Sequence, residues 1–149
     1  MSEKIPEPSE RVIQALGGPR VFRERERGYA TLITRARSGL PYASLEAVAS
    51  RFAITPTEIV EVLHLPARTL ARRKREGRLR ADESDRLLRV TRIAVMAEDT
   101  LGSREKAVHW LHAPNRALGS VAPLRQMDTD PGARQVEGVL IRIAHGVYS

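Results

Sequence analysis

Residues 55–77 read TPTEIVEVLHLPARTLARRKREG, and this stretch decides the fold. Thr55 offers a hydroxyl acceptor and Glu58, three residues on, a carboxylate that can reach back, which is the spacing of a capping box. Pro56 falls at the first helical position, where its missing N–H leaves nothing unsatisfied. Ile59, Val62 and Leu63 then recur at helical spacing and supply the apolar stripe of a short helix. His64 and Leu65 make a tight turn, Pro66 opens a further helix to about Glu76, and Gly77 stops it. The segment therefore predicts a short helix, a turn and a strongly basic helix.

The same signals extend in both directions. Upstream, Ser44 is a candidate N-cap for a helix carrying Leu45, Val48, Ala49 and Phe52 on one face. Before it, Tyr29, Leu32, Ile33 and Ala36 repeat at helical spacing after Gly28, and Gly39 and Pro41 punctuate. Residues 1–27 are rich in Pro, Glu and Arg and end in RERER, which predicts a flexible arm with one helical turn around Val12 to Leu16. Downstream, Asp82 caps a long helix to about Leu101, with Leu87, Val90, Ile93, Ala94, Met96 and Ala97 in a wide apolar stripe. Gly102 ends it, Ser103 caps a helix bearing Ala107, Val108, Trp110 and Leu111, and Pro114 stops that one. A connection with a turn at Pro123 to Met127 leads to a last helix opened by Asp130 and Pro131, with Val136, Val139, Leu140 and Ile143 on one face. No segment alternates with a period of two. The expectation is an all-α fold of seven or so helices, with an aliphatic core suited to an aromatic content of 4%.

Charge is concentrated rather than spread. The chain of 149 residues carries a net +7, and residues 65–80 hold seven of the 25 basic side chains against one acid, Glu76. A localised basic excess is a footprint for a polyanion. Residues 44–77 have the order of a helix-turn-helix, whose last helix enters the major groove of DNA. With Leu70 turned to the core beside Leu63, helical spacing puts Arg68, Thr69, Arg72 and Arg75 on the outer face. Arg bridges guanine acceptors and Thr touches a thymine methyl, while Arg73, Lys74 and Arg78 suit phosphate contacts. The competing reading is a solvated basic helix end favoured by the macrodipole. His64 stands in the turn where Gly at positive φ is common.

Other chemistries find little support. There is no cysteine, so disulfides and thiolate metal sites are excluded, and the default compartment is the reducing cytoplasm. No apolar run approaches the ~20 residues of a membrane span. His109 and His112 share a helix face with Glu105 as the one obvious third ligand, short of a zinc site with its supporting shell, so no metal is expected. No cofactor is implied, and without a phosphate loop, a nucleophile with its base, or paired carboxylates, the chain does not read as an enzyme.

The last helix ends on Gly146, Val147, Tyr148 and Ser149, an apolar hook able to fold back onto the core or to reach outward. Here the chain resembles a known family. WLHAPNRALGSVAPLRQM at 110–127 and VEGVLIRIAHGVYS at 136–149 look like the toxin-binding domain of Xre/MbcA/ParS-type antitoxins. GLPYASLEAVASRF at 39–52, RTLARRKREGRL at 68–79 and ESDRLLRV at 83–90 resemble the Xre-like helix-turn-helix half of that family. Ser120 stands where a second Gly is usual, and Ala144 where an acid is common. After the flexible arm that composition predicts at 1–27, the resemblance implies a DNA-binding region at 28–80 and a toxin-binding domain at 81–149. It further implies an antitoxin of the RES–Xre type, whose partner is a RES-type toxin that depletes NAD. Such a chain is a homodimer that represses its own operon at operator DNA and blocks the toxin through its C-terminal domain. Toxin contacts are then expected from Arg142, His145, Gly146, Val147, Tyr148 and Ser149, and from Asn115; Trp110 is either core or interface. A stand-alone DNA-binding regulator with a dimerising C-terminal domain is the other reading, distinguished by the absence of a toxin gene beside it.

Overall fold

The computed structural model describes residues 7–146, and among them nine α-helices and no β-strand are found. In chain order these are α1 (Pro8–Ala15), α2 (Gly28–Ser38), α3 (Tyr42–Arg51), α4 (Pro56–Leu63), α5 (Ala67–Glu76), α6 (Ala81–Leu101), α7 (Arg104–His112), α8 (Pro123–Gln126) and α9 (Asp130–Ala144). Single 3-10 turns lie at Gly18–Arg20 and Arg116–Leu118. The all-α reading is correct, and α6 is its axis. Over 21 residues it packs on α1, α2 and α4 from one half of the chain and on α7 and α9 from the other. Leu87, Val90, Ile93, Ala94, Val95 and Ala97 are all buried along it, each large aliphatic side chain contributing roughly 1.5–3 kcal/mol. Even Thr91 is sealed inside, with its hydroxyl donating to the Leu87 carbonyl at 2.7 Å.

Three sequence expectations are corrected. From Pro8 onward the first 27 residues are not a flexible arm: Val12, Ile13, Ala15, Leu16 and Phe22 lie in the core, and α1 packs on α6, α2 and α3. The charges around these residues concealed a short apolar face that α6 needs covered. Arg35 of α2 lies over the Phe22 ring at 5.0 Å and donates to the Val21 carbonyl, tying down the stretch after α1. Ser44 does not cap α3, which begins at Tyr42; its hydroxyl is buried and donates to the Leu16 carbonyl at 2.7 Å. Asp82 lies inside the first turn of α6, because Glu83 accepts the Arg80 N–H at 2.8 Å and starts the helix earlier.

The end of α5 is laced to the α2–α3 junction. The Leu79 N–H donates to the Leu40 carbonyl and the Tyr42 N–H to the Gly77 carbonyl, both at 2.9 Å, while the Leu40 N–H reaches the Ser84 hydroxyl at 2.8 Å. These bonds satisfy backbone groups at a crowded junction and set where α5 leaves the body.

Candidate functional site

Helices α4 and α5 form the expected helix-turn-helix pair. Thr55 and Glu58 make both halves of the capping box: the Glu58 N–H donates to the Thr55 hydroxyl at 3.2 Å and the Thr55 N–H to the Glu58 carboxylate at 2.9 Å. Ile59, Val62 and Leu63 are buried. His64 occupies the turn with φ +52, the left-handed conformation expected of a Gly in that place. Pro66 is the residue just before α5, and Gly77 ends that helix. Leu70 is half-buried against the core, so the opposite face of α5 points to solvent.

On that face Arg68, Arg72 and Arg75 are exposed; Lys74, one turn on from Leu70, is exposed as well, and Thr69 is half-buried. Arg78, just beyond the helix, is also exposed and donates to the Ser38 carbonyl at 3.2 Å. Arg72 lies 3.8 Å from Glu76, an exposed pair one turn apart that contributes little stability. Together these side chains form a basic surface on this half of the chain.

Arg73 is not part of it. Its side chain is 2% exposed and its Nε donates to Glu83 at 2.7 Å, with Glu76 a further 3.4 Å partner. The Glu83 hydrogen bond holds the guanidinium above its ordinary pKa, reinforced by the charges of Glu83, Glu76 and Asp82 against the effect of burial. The helical position that would make Arg73 a phosphate contact instead turns it toward the start of α6. Its role is to fix α5 on α6. Sequence reasoning missed Glu83, although the three-residue spacing from Arg80 was a signal that it caps.

The second half of the chain braces α4. His112 of α7 places Nε2 3.5 Å from Glu58, Arg125 of α8 pairs with Glu61, and the His64 ring donates from Nε2 to the Asp128 carbonyl at 2.6 Å. Burial works against ionising Glu58, but hydrogen bonds from Thr55 and the His112 neighbour outweigh it and leave its pKa below the usual value.

The expected toxin-binding residues are only partly assembled. Arg142, His145 and Gly146 are exposed at the end of α9, and Gly146 has φ +71 with open space where a Cβ would stand. Val147, Tyr148 and Ser149 lie outside the described residues. Asn115 is engaged locally: its side-chain oxygen accepts the Ala117 N–H at 2.9 Å and its N–H donates to the Val121 carbonyl at 3.1 Å, closing a small loop. That loop carries the 3-10 turn that packs on α9. Ser120 within it holds φ +66, a left-handed conformation that Gly adopts at lower cost. Trp110 is half-buried and packs against the core. Among the described residues no helix is long and apolar enough to cross a membrane, and no group of three or more His, Asp or Glu side chains could hold a metal ion. The His112 Nδ1 donates to the Val108 carbonyl at 2.9 Å.

Comparison with known proteins finds two matched regions. Residues 31–92 match the Antitoxin Xre-like helix-turn-helix domain, and residues 96–146 match the Antitoxin Xre/MbcA/ParS C-terminal toxin-binding domain. The chain is 37% identical over 114 residues to a protein named Antitoxin Xre from Pseudomonas putida, covering 76% of this chain and 70% of that one. It is 33% identical over 113 residues to an Antitoxin Xre from Photorhabdus laumondii, covering 74% and 76% of the two chains. A third Antitoxin Xre, from Yersinia enterocolitica, is 30% identical over 120 residues, or 79% and 81% of the two. With a basic helix-turn-helix packed against a toxin-binding half, and similarity running through both, the chain belongs to the Xre antitoxin family.

Proposed function

We propose that this antitoxin acts in the cytoplasm on a RES-type, NAD-depleting toxin, and that as a homodimer it represses its own operon. The observation that carries the reading is the pairing of two surfaces in one body. A helix with four exposed cations faces solvent on one half, and the other half, of the toxin-binding type, ends in an exposed helix terminus with Gly146 as a pivot. The operator contacts fall to Arg68, Thr69, Arg72, Lys74, Arg75 and Arg78, without Arg73. An NAD pocket needs apolar walls for its rings and cationic donors for its pyrophosphate. Tyr148 offers a ring, Val147 a small apolar contact and Ser149 a carboxylate, so residues 145–149 suit a plug that denies the toxin its substrate.

The test is co-expression with the toxin encoded by the neighbouring reading frame. Deleting residues 145–149 is expected to abolish protection while leaving helicity and self-association unchanged; a truncated chain that still protects cells refutes the plug. DNA binding is tested on the promoter of the operon across a salt series. Affinity should fall steeply, by roughly one power of salt concentration per phosphate contact, and a flat dependence removes the basic helix from the docking role.

A further inference from the structure

Three of the four large apolar side chains left exposed among the described residues border one groove. Tyr29 (51% exposed) and Ile33 (47%) stand on α2 and Ile141 (42%) on α9, with Val121 the one elsewhere. Helix α6 packs on both α2 and α9 and floors the groove between them. Two adjoining hollows there, of about 250 and 440 Å³, share Arg89, Arg92 and Asp130. The charges along this groove are three arginines and three carboxylates, and all six are paired within it. Arg92 lies 2.8 Å from Glu137, Arg134 2.9 Å from Asp130, and Arg89 3.7 Å and 4.0 Å from Asp130 and Asp85. The Arg89 Nε is sealed from solvent without a hydrogen-bond partner.

These facts select among occupants. DNA gains nothing from a face whose charges cancel, and no residue of α5 lines the groove. A ligand of the toxin-binding domain alone would meet only one wall, because that domain begins at residue 96 while Tyr29, Ile33, Leu88 and Arg89 lie before it. A second copy fits better. Two chains that each carry +7 repel as wholes, so a face where charge is balanced opposes their closing least. Mixed signs permit a two-fold, self-complementary meeting, and the apolar rim supplies contacts that exclude water. We propose that the α2–α6–α9 groove is the seat of a second copy of this chain. The proposal rests on the homodimer reading above and leaves the basic face of α5 open on both copies.

The experiment measures self-association of the full chain by sedimentation equilibrium, with circular dichroism checking the fold. Ile33→Asp and Ile141→Asp each place a carboxylate on an exposed position, twice per dimer, and are expected to weaken self-association by roughly 100-fold or more. Val121→Asp, off the groove, is expected to leave it unchanged. Each groove variant should still capture the co-expressed toxin. Groove variants that remain as dimeric as the parent overturn the groove and leave the homodimer standing. A parent chain that is monomeric at all concentrations overturns both. Loss of toxin capture with self-association intact assigns the groove to the toxin and overturns the proposal, as does equal weakening by Val121→Asp.

Discussion

Glu83→Gln tests how the basic helix is held. The amide keeps an oxygen to accept the Arg80 N–H and nearly the same shape, but it removes the charge opposite Arg73. Both members of that pair are buried, 2% and 5% exposed, at 2.7 Å. Removing one partner of a buried ion pair costs about 3–5 kcal/mol, because the other charge stays desolvated. Glu76 remains 3.4 Å from Arg73, yet its side chain is 52% exposed, so its screened attraction offsets less than about 1 kcal/mol. The net loss of about 2–4 kcal/mol lowers the melting temperature by about 10 °C for a chain of this length. Arg73→Met combined with Glu83→Gln leaves no buried charge and is expected to recover most of the loss.

The DNA arm of the same experiment separates position from contact. A phosphate-binding Arg73, as the basic run suggests, would lower the salt slope by about one when replaced. The buried pair predicts that Arg73→Met in the double variant leaves the slope as it is. Thermal melts followed by circular dichroism and a salt titration of fluorescence anisotropy give both readouts. A Glu83→Gln chain that melts within about 2 °C of the parent, or a salt slope that drops in the double variant, refutes the reasoning.

Two further outcomes follow from the same geometry. Gly39 has φ +92 and a Cβ there would overlap the Leu79 carbonyl oxygen, whereas Gly77 at φ +76 has open space around it. Gly39→Ala is expected to cost about 3 kcal/mol and Gly77→Ala about 1 kcal/mol, measured by urea denaturation, and equal losses would disprove the close approach of the α2–α3 junction to the end of α5. Glu58 has a folded pKa below the 4.5 of an unstructured glutamate. Its stabilising contribution is therefore present above about pH 4.5 and is lost as pH falls through the folded value. The melting temperature of Glu58→Gln should lie below the parent's at pH 7 and converge with it on acidification, and a gap that stays constant to pH 3 would count against this.

Local signals in the chain were reliable where the interactions they describe are local. The Thr55–Glu58 box, the Gly77 stop and the Ser103 cap each involve residues three or four apart, and each stands in the fold. What could not be read were roles set by partners far along the chain. Ser44 looks like a cap because its neighbours form a helix, but its hydroxyl serves Leu16, 28 residues earlier. The first segment looks like an arm because charged residues surround Val12, Ile13 and Leu16, and only the bare face of α6 explains why they are buried. In the basic run the spacing put Arg68 and Arg72 outward, yet nothing within α5 distinguishes Arg73 from its neighbours until α6 presents Glu83 to it.

The same distinction bears on whether the two halves are separable. The bridges from Glu61 and His64 to the toxin-binding half lie at the surface, and such contacts contribute at most about 1 kcal/mol each. They set the position of α4 more than they stabilise it. Stability comes from the apolar cluster beneath, where Ile59, Val62 and Leu63 of α4 meet Leu87 and Val90 of α6 and Leu124 of α8. Leu124 belongs to the toxin-binding half, and α6 runs from the helix-turn-helix match at 31–92 into the toxin-binding match at 96–146. The turn that aims α5 is thus built on side chains from both halves. A ligand that shifts α8 by a fraction of its packing distance must disturb Leu124 and the His64–Asp128 bond together, because close-packed side chains transmit such displacements rather than absorb them.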